Sequence, residues 1–335
     1  MSHDDQSAGD TLNDLGESGL LTEVFARLRG GGPDVLVGPG DDTALLATRG
    51  AVLATTDTMV RGRDWRDEWS TASDVGTKVV VQNLADLAAM GGVGTGLLVT
   101  LVAPGDTAVA WVRELTEGIA GAADGAGVPV IGGDLSSSVD AVMVSVTALG
   151  ELPGPGPVLR SGAAPGQVVA VSGTLGWSAA GLEVLRRADT GWWPAKDAAQ
   201  SAARYVGYHC RPEPDLSQGP RAAEAGATAM IDLSDGLARD GGRIAEASGV
   251  RIDLDVDELA RHARQIGQVL DAATALDCVL TGGEEHTLLA TFAPSDVPSG
   301  WSVVGVVTAP AGRSGAGVWW RGERVAAGGW DHYGG

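Results

Sequence analysis

The sequence has little of what disulfide frameworks and nucleic-acid binding require. Its only cysteines, Cys210 and Cys278, are far apart, so we expect no disulfide framework and a reducing compartment. Lysine is equally scarce, with Lys78 and Lys196 alone, and 23 basic against 43 acidic residues give a net charge of −20. Without a basic stripe to release counterions from phosphates, the composition argues against a nucleic-acid partner.

Three well-known catalytic motifs are also missing. The chain contains no G-x-x-x-x-G-K-[ST] phosphate loop, no G-x-S-x-G nucleophile elbow and no H-E-x-x-H helix. Two phosphate charges about 4 Å apart repel by roughly 4 kcal/mol at an effective dielectric of about 20. If the chain handles a polyphosphate, metal ions must therefore neutralise it in place of a Walker lysine.

The sequence gives little support for secretion or membrane insertion. The start MSHDDQSAGD lacks the basic and apolar regions of a signal peptide. The uncharged run from Leu87 to Gly105 is long enough for a membrane span, but four glycines and a proline divide it. We interpret it as a helix end, a glycine turn and the strand GLLVTLVA, and we expect a cytoplasmic protein without a membrane partner.

The patterns predict an α/β fold (α+β) of two domains. Hydrophobic residues at 44% and charged residues at 20% describe a globular chain, and 335 residues suffice for two domains. Several strands follow one another without room for a crossover helix, so we expect mixed sheets flanked by helices. We expect a loose tail over 1–15, an N-terminal domain over 16–151, a Pro- and Gly-rich linker over 152–166 and a C-terminal α/β domain over 167–335.

Two segments of the second half differ in how clearly they can be assigned. Residues 187–220 contain two adjacent tryptophans and four prolines and do not predict a definite element. The run CVLTGGEEHTLLATF, 278–292, is strand-like in composition.

Carboxylates repeatedly follow apolar strands, after one or two glycines or hydroxyl residues. The stretches are GPGDD, ATTD, IGGD, IDLSD and TGGEE, and the helix NLADLAAMGG adds Asn83 and Asp86 on one face. A single Gly-Asp pair after a strand is usually a surface turn, and DLSDG alone fits a helix N-cap. Because the pattern recurs, we favour cation sites. Oxygen ligands without a His or Cys partner select Mg²⁺ or Mn²⁺ over zinc.

The stretch TAMIDLSDGLARDGG, 228–242, places three aspartates at and after the end of a buried strand. Asp232, Asp235 and Asp240 repel one another unless a positive group lies between them. Arg239 and Arg243 are possible partners, and a metal ion could serve instead. The local sequence leaves both possibilities open.

Eight stretches together resemble thiamine-monophosphate kinase. They are GPGDDTALL, TTDTMVRGRDW, VGTKVVVQNLADLAAMGG, VIGGDLS, LRSGAAPGQVVAVSGTLGWSAAGL, IDLSDGLARD, LTGGEEHTLL and GWDHY, in this order over about residues 15–333. The wider group includes aminoimidazole ribonucleotide synthetase, selenophosphate synthetase and a hydrogenase maturation factor of the same fold. The chain has no Cys near its N-terminus, as a selenophosphate synthetase would, and TTDT and GWDHY favour the thiamine enzyme.

The resemblance implies a two-domain fold like that of aminoimidazole ribonucleotide synthetase. It implies ATP-dependent phosphorylation of thiamine monophosphate to thiamine diphosphate, the last step of thiamine diphosphate biosynthesis, with several Mg²⁺ ions. The N-terminal domain would bind ATP and Mg²⁺ and would join two chains into a homodimer through its strands. The nucleophile is a phosphate oxygen that is already ionised at neutral pH, so no catalytic general base is expected in the in-line transfer.

The resemblance also implies roles for individual residues. The metal ligands would be Asp42, Thr55, Thr56, Asp57, Asp86, Asp134, Asp232 and Asp235. The ATP contacts would be Gly133, Asp134, Arg160 and Ser234, and the thiamine contacts would be Asp64, Glu284 and Trp330. Asp232 and Asp235 would thus share magnesium, and Arg239 would be secondary.

Two of the implied thiamine contacts have a second interpretation. Asp64 departs from the family pattern, since GRDW stands where GRHF is common, and a surface-loop residue is the other interpretation. Trp330 would stack on a flat heterocycle, with simple packing as the other interpretation.

Other classes of protein share parts of this pattern. A magnesium-dependent phosphohydrolase would use similar carboxylates but would not depend on ATP. A non-catalytic acidic metal-binding protein would lack nucleotide affinity, and the absence of repeated Ca²⁺ loops argues against it. Another ATP-using enzyme of the same superfamily is the third alternative.

Overall fold

The computed structural model describes residues 11–28, 31–39, 43–154, 156–310 and 315–325. These residues divide into two compact units. Unit 1 contains the described residues up to Leu87 together with Val93–Glu151, and unit 2 contains Ala88–Gly92 and the described residues from Leu152 onwards.

Within the described residues, unit 1 is built on a four-stranded mixed sheet and a small two-stranded one. Its elements are α1 (Leu12–Arg27), β1 (Val35–Val37), β2 (Leu45–Leu46), β3 (Val52–Val60), α2 (Ala72–Ala89), β4 (Val93–Pro104), α3 (Val109–Ala126), β5 (Val130–Ser138) and β6 (Met143–Glu151). The larger sheet has the order β3-β6-β4-β5, in which only β4 and β5 run parallel. Helix α3 connects these two strands, as a parallel pair requires.

The packing of α2 against α3 depends on two glycines. Val112, Leu115 and Ile119 of α3 are buried at helical spacing and form its apolar face. A Cβ atom at Gly118 would lie 2.1 Å from the carbonyl oxygen of Ser73, and one at Gly76 would lie 2.2 Å from that of Leu115. The two helices therefore approach too closely for side chains at these positions, which fixes the helix that carries Asp86.

Helix α1 begins earlier than the sequence predicts. Thr11 and Asp14 form a capping box, and the N–H of Leu12 donates to the carbonyl oxygen of Thr107 at 3.0 Å. Gly16, at φ 68°, interrupts the helix near its start. The loose tail predicted over 1–15 is therefore wrong for residues 12–15, because local capping and a backbone bond to the segment before α3 order them.

Unit 2 is a larger α/β body with a seven-stranded mixed sheet in its described residues. Its elements are β7 (Val168–Val171), α4 (Trp177–Ala188), α5 (Ala199–Cys210), α6 (Gln218–Glu224), β8 (Ala229–Asp232), α7 (Leu237–Ser248), β9 (Arg251–Leu254), α8 (Val256–Ile266), α9 (Ala272–Thr281), β10 (Leu288–Phe292), β11 (Ser302–Thr308), β12 (Gly317–Trp320) and β13 (Glu323–Arg324). The strand order is β13-β12-β9-β11-β7-β10-β8. Among the described strands of this sheet, only β12 and β9 pair in parallel.

The segment predicted as a linker packs onto unit 2. Val158 and Ala163 are buried in its apolar clusters. The carbonyl oxygen of Leu159 accepts a hydrogen bond from the N–H of Met230 at 3.0 Å. The described residues from Leu152 to 166 thus belong to unit 2, because their few apolar side chains find partners there.

The structure defines the secondary structure of segments 187–220 and 278–292. Part of 187–220 forms α5 and the start of α6. The strand-like interpretation of 278–292 is wrong for residues 278–281, which end α9. Asp271 caps that helix by accepting from the N–H of Thr274, and an apolar run alone does not distinguish a buried helix from a strand.

The apolar run at 87–105 is divided as predicted. It comprises the end of α2, a turn and strand β4. None of the helices in the described part of the chain is long and apolar enough to cross a membrane.

Candidate active site

In unit 1, edge strand β3 and helix α2 bring candidate metal ligands together. The hydroxyl of Thr55 donates to Oδ2 of Asp86 at 2.6 Å. Two residues further along β3, the backbone N–H of Asp57 donates to Oδ1 of Asn83 at 3.0 Å. Asn83 is fully buried and is itself held by the carbonyl oxygen of Val79, to which its amide donates at 2.7 Å. We call Thr55, Asp57, Asn83 and Asp86 the strand–helix cluster.

Thr56 lies on the other face of the sheet, because successive side chains of a strand alternate. Its hydroxyl donates to the carbonyl oxygen of Val146 at 3.0 Å and accepts from the hydroxyl of Thr147 at 3.1 Å. The structure therefore does not bring the side chain of Thr56 together with those of Thr55 and Asp57.

A row of polar side chains crosses the face of the sheet on which Thr56 lies, which we call the outer face. Thr58, Ser145, Thr100 and Asp134 are partners in register on four adjacent strands. Thr58 donates to Ser145 at 2.9 Å, and Ser136 donates to Asp134 at 2.7 Å. Asp134 is therefore placed with this hydroxyl row and not with the strand–helix cluster.

Next to Asp134, the backbone of β5 lies very close to β4. A Cβ atom at Gly133 would lie 1.9 Å from the carbonyl oxygen of Val99, so only glycine fits there. An apolar cavity of about 60 Å³ lies at this point and is lined by side chains of α1, α3 and the sheet, including Phe25 and Leu101, as well as by Gly133 and Asp134. A flat apolar group bound there would have the Gly-Asp pair beside it.

Asp64 closes the turn after β3. Its Oδ2 accepts from the N–H of Val60 at 2.7 Å, and its own N–H donates to the carbonyl oxygen of Val60 at 2.9 Å. The adjacent Trp65 is buried and stacks on Trp111 with ring centroids 6.4 Å apart. One carboxylate oxygen of Asp64 thus has a structural task, and its contact with substrate stays a prediction.

In unit 2, the three aspartates at and after β8 have basic neighbours. Nη2 of Arg243 lies 2.5 Å from Oδ2 of Asp235, and its Nη1 lies 2.5 Å from Oδ1 of Asp240. Nε of Arg239 is 3.9 Å from the same oxygen of Asp235. Oδ2 of Asp232 is 3.4 Å from Nδ1 of His286. Arg243 is therefore the nearer cation.

Asp240 is part of the start of α7. Its buried carboxylate accepts from the N–H groups of Asp235 and Gly236 at 2.9 and 3.0 Å. Burial raises the pKa of Asp240 to about 7, and its contact with Arg243 opposes that rise. This carboxylate thus orients the turn that carries Asp235.

Residues 282–287, which we call the site loop, are bonded to the turn after β8. The N–H of Glu284 donates to the carbonyl oxygen of Ser234 at 2.7 Å, and the N–H of His286 donates to that of Leu233 at 2.9 Å. A Cβ atom at Gly283 would lie 2.3 Å from the carbonyl oxygen of Ser234. Glu284 and His286 both adopt left-handed backbone, with φ of 58° and 55°. The surrounding structure must hold this conformation, since it costs energy for side chains of this size.

The side chains of the site loop meet helices α4 and α5. Oε2 of Glu284 lies 3.4 Å from Nδ1 of His209, and the hydroxyl of Ser178 lies 3.1 Å from the same nitrogen. Oε2 of Glu285 accepts from the N–H of Ser178 at 3.1 Å, and its carbonyl oxygen accepts from the hydroxyl of Tyr208 at 2.9 Å. Burial raises the pKa of Glu285 to about 7.

Three other residues are predicted to contact ligands, and the structure describes one of them. Arg160 is exposed in unit 2, and its carbonyl oxygen accepts from the hydroxyl of Ser248 at 3.2 Å. Asp42 and Trp330 lie outside the described residues. Among the residues that are described, no three His, Cys, Asp or Glu side chains gather closely enough to hold a metal ion.

Comparison with known proteins identifies the family. The model of the family described as AIR synthase related protein, N-terminal domain, matches residues 40–152. A thiamine-monophosphate kinase of Mycobacterium tuberculosis is 43% identical over 309 residues, which cover 90% of this chain and 88% of that protein. This chain belongs to the thiamine-monophosphate kinase family.

Two solved structures of this family extend the similarity to the fold. The crystal structure of thiamine-monophosphate kinase from Stenotrophomonas maltophilia K279a covers 91% of this chain and 95% of its own, with 30% identity and a TM-score of 0.74. The structure of AaThiL complexed with AMPPCP and TMP covers 97% of this chain and 99% of its own, with 28% identity and a TM-score of 0.71. The predicted family and the predicted α/β fold with mixed sheets are confirmed.

The donor atoms of this family member suit a hard divalent cation. Thr55 and Asp86 supply a hydroxyl and a carboxylate oxygen 2.6 Å apart, and Asp57 is on the same face of β3. Oxygen-only donors of this kind fit Mg²⁺. In unit 2, Asp235 offers a carboxylate that Arg243 already contacts, so an ion there would share or replace that contact.

The sequence alone does not assign a role to several residues that shape the site in this member of the thiamine-monophosphate kinase family. The sequence offers both Arg239 and Arg243 as partners for the aspartates, and the spacing of three residues between Asp240 and Arg243 on a helix is the signal for that contact. The helix pattern places Asn83 on the same face as Asp86 but does not indicate that Asn83 holds the backbone of Asp57. His209 had no local signal, because Glu284 is distant in sequence.

Proposed function

We propose that the protein transfers the γ-phosphoryl group of ATP to thiamine monophosphate, giving thiamine diphosphate and ADP. The observation that carries this proposal is the similarity, over 97% of this chain, to a structure complexed with AMPPCP and TMP. These are an ATP analogue and thiamine monophosphate. The identity of 43% to a thiamine-monophosphate kinase supports the same activity.

In unit 1, we assign the nucleotide and its metal to the sheet and to α2. Thr55, Asp57 and Asp86 would hold Mg²⁺, with Asn83 fixing the backbone of Asp57. When bound, Mg²⁺ would neutralise the phosphate charges that this lysine-poor chain cannot neutralise itself. Gly133 lets the backbone of β5 lie close to β4 beside Asp134, and the adjacent apolar cavity suits part of a nucleobase.

In unit 2, we assign Asp232, Asp235 and Ser234 to the phosphate and metal contacts and Glu284 to the thiamine substrate. A carboxylate such as that of Glu284 can accept hydrogen bonds from an aminopyrimidine. The acceptor oxygen of thiamine monophosphate is ionised at neutral pH, so the chain needs no general base. Its residues bind and orient the two phosphates for in-line transfer.

The decisive measurement is ADP release from Mg-ATP with and without thiamine monophosphate. We expect release that depends on thiamine monophosphate and initial-rate lines that intersect when ATP is varied, since direct transfer needs both substrates bound together. Parallel lines, or a stable phosphoprotein formed from ATP alone, would indicate a covalent intermediate. Phosphate release from thiamine phosphates without ATP would support a phosphohydrolase instead.

We also propose that the protein is a homodimer joined through the four-stranded sheet of unit 1. The outer face of this sheet keeps apolar side chains partly exposed, including Leu98, Val102, Met143 and Leu149. An apolar sheet face of this kind is typical of a contact surface. Light scattering should give twice the mass of one chain, and Leu149→Lys should give the mass of one chain. A monomeric wild-type protein would contradict the proposal.

A further inference from the structure

The site loop combines a strained backbone with a predicted substrate contact. Glu284 has φ of 58° and lies directly after Gly282 and Gly283. Its carboxylate can face a ligand in a fixed direction only if both the backbone and the side chain are held. The backbone is held by the bond of the Glu284 N–H to Ser234, which leaves the side chain to be explained.

Two consecutive residues in the last turn of α5 supply that support. Tyr208 donates from its hydroxyl to the carbonyl oxygen of Glu285 at 2.9 Å, next to Glu284 in the chain. His209 is 7% exposed and places Nδ1 at 3.4 Å from Oε2 of Glu284. A buried ring has few alternative rotamers, so a contact from it restricts the carboxylate more than a contact from a surface side chain does.

The neighbours of His209 indicate which nitrogen carries its hydrogen. An ionised Glu284 only accepts hydrogen bonds, so Nδ1, at 3.4 Å from Oε2, can interact favourably with it when it carries the ring hydrogen. The hydroxyl oxygen of Ser178, 3.1 Å from the same nitrogen, can accept from it as well. The backbone N–H of Ser178 is bonded to Glu285, which ties α4 to the same loop.

We propose that Tyr208 and His209 are positioning residues for thiamine monophosphate, because they fix the carboxylate of Glu284 toward the substrate. This inference rests on the proposed function and adds to it two residues of α5 that would not touch the substrate. It assigns to α5 the selectivity for the thiamine substrate and no role in binding ATP.

The test is steady-state kinetics of two variants at His209. His209→Leu keeps the volume but removes the donor, and we expect KM for thiamine monophosphate to rise at least about tenfold with KM for ATP within about twofold. His209→Asn places an amide nitrogen where Nδ1 lies and should restore KM to within about threefold of wild type. Tyr208→Phe, which retains its packing, should raise KM for thiamine monophosphate by about fivefold.

A double-mutant cycle separates positioning from general damage. If His209 acts through Glu284, adding His209→Leu to Glu284→Gln should raise KM for thiamine monophosphate no further. His262→Leu is the matched control, because His262 is also buried in unit 2, at 6% exposure, but lies on α8. It should lower the melting temperature while leaving both KM values unchanged.

Each outcome supports or overturns the inference. Equal rises in both KM values, additive effects in the cycle, or an Asn variant as impaired as the Leu variant would overturn it. If His209→Leu does not fold, an unchanged KM for thiamine monophosphate in Tyr208→Phe overturns it equally. A wild-type protein without ADP release that depends on thiamine monophosphate would overturn the proposed function itself.

Discussion

The predicted metal-binding carboxylates of the two units can be compared through the side chains that contact them. In unit 1, Asp86 accepts from the hydroxyl of Thr55 and Asp134 accepts from that of Ser136. In unit 2, a guanidinium lies 2.5 Å from Asp235 and an imidazole 3.4 Å from Asp232. A hydroxyl orients a carboxylate without changing the local charge, whereas a guanidinium adds a full positive charge. Cation binding in unit 2 must therefore compete with the protein's own cation.

The largest effect is expected at Asp57. Asp57→Asn keeps the shape but removes a charge, and amide oxygen is a weaker magnesium ligand. We expect kcat to fall at least about a hundredfold, with little change in the melting temperature of the ligand-free protein. Asp106→Asn, at an exposed position of the same unit, is the control and should leave kcat unchanged. Near-normal activity of Asp57→Asn would remove Asp57 from the metal site.

The second prediction concerns the pH dependence of stability at Glu285, a buried carboxylate of unit 2 that is contacted by a backbone N–H group. Burial raises its folded-state pKa from 4.5 to about 7, so the folded protein binds this proton more tightly than the unfolded chain. The resulting stability is fully present below about pH 4.5 and is lost as pH rises to about 7. Glu285→Gln cannot ionise, so its stability relative to wild type should rise by on the order of 3 kcal/mol across that range.

Chemical denaturation at several pH values checks this prediction. The raised pKa of Asp240 contributes equally to wild type and variant and cancels in the difference. Parallel stability curves for the two proteins would show that Glu285 titrates normally.

A smaller loss of activity is expected at Asp235 than at Asp57. Arg243 already neutralises part of the charge of Asp235, so Asp235→Asn removes less net negative potential. We expect kcat to fall by about tenfold. A loss equal to that of Asp57→Asn would mean that the two units contribute alike, and the comparison would fail.

The smallest effect is expected at Arg243. Arg243→Met leaves Asp235 and Asp240 to repel each other and should lower stability by on the order of 1 kcal/mol, since the guanidinium is partly exposed. Magnesium should raise the melting temperature of this variant more than that of wild type, because the ion no longer competes with Arg243. An equal magnesium shift in both proteins would place the ion elsewhere.

Contacts between residues that are close in sequence are easier to predict from the sequence than contacts between distant segments. Recurrence of an apolar strand, a glycine or hydroxyl residue and a carboxylate predicts strand ends at Asp57, Asp134 and Asp232. The strand end is confirmed at Asp232, the last residue of β8, but it is wrong at Asp57 and Asp134, which lie within β3 and β5 because strand pairing continues past them. Alternation along β3 also separates Thr56 from Thr55, although the resemblance grouped them as ligands. The roles of all these residues as ligands stay predictions.

The contacts that could not be predicted join distant segments. The bond between Asp57 and Asn83 requires the packing of α2 on β3, and the contact between His209 and Glu284 requires the packing of α5 on the site loop. The packing of residues 158–163 onto unit 2 likewise depends on a surface that forms only after folding. The Pro- and Gly-rich composition of such a segment predicts a flexible linker, but tertiary contacts override this local preference.

The strand order of unit 2 has a consequence for synthesis on the ribosome. Val171 of β7, a central strand, pairs with Leu289 of β10 and with Ser302 of β11, which are translated much later. Unit 1 can complete its four-stranded sheet once Glu151 has left the exit tunnel. The nascent chain would therefore carry a folded unit 1 while β7 waits for its neighbours, a period in which β7 is exposed to aggregation and to chaperones.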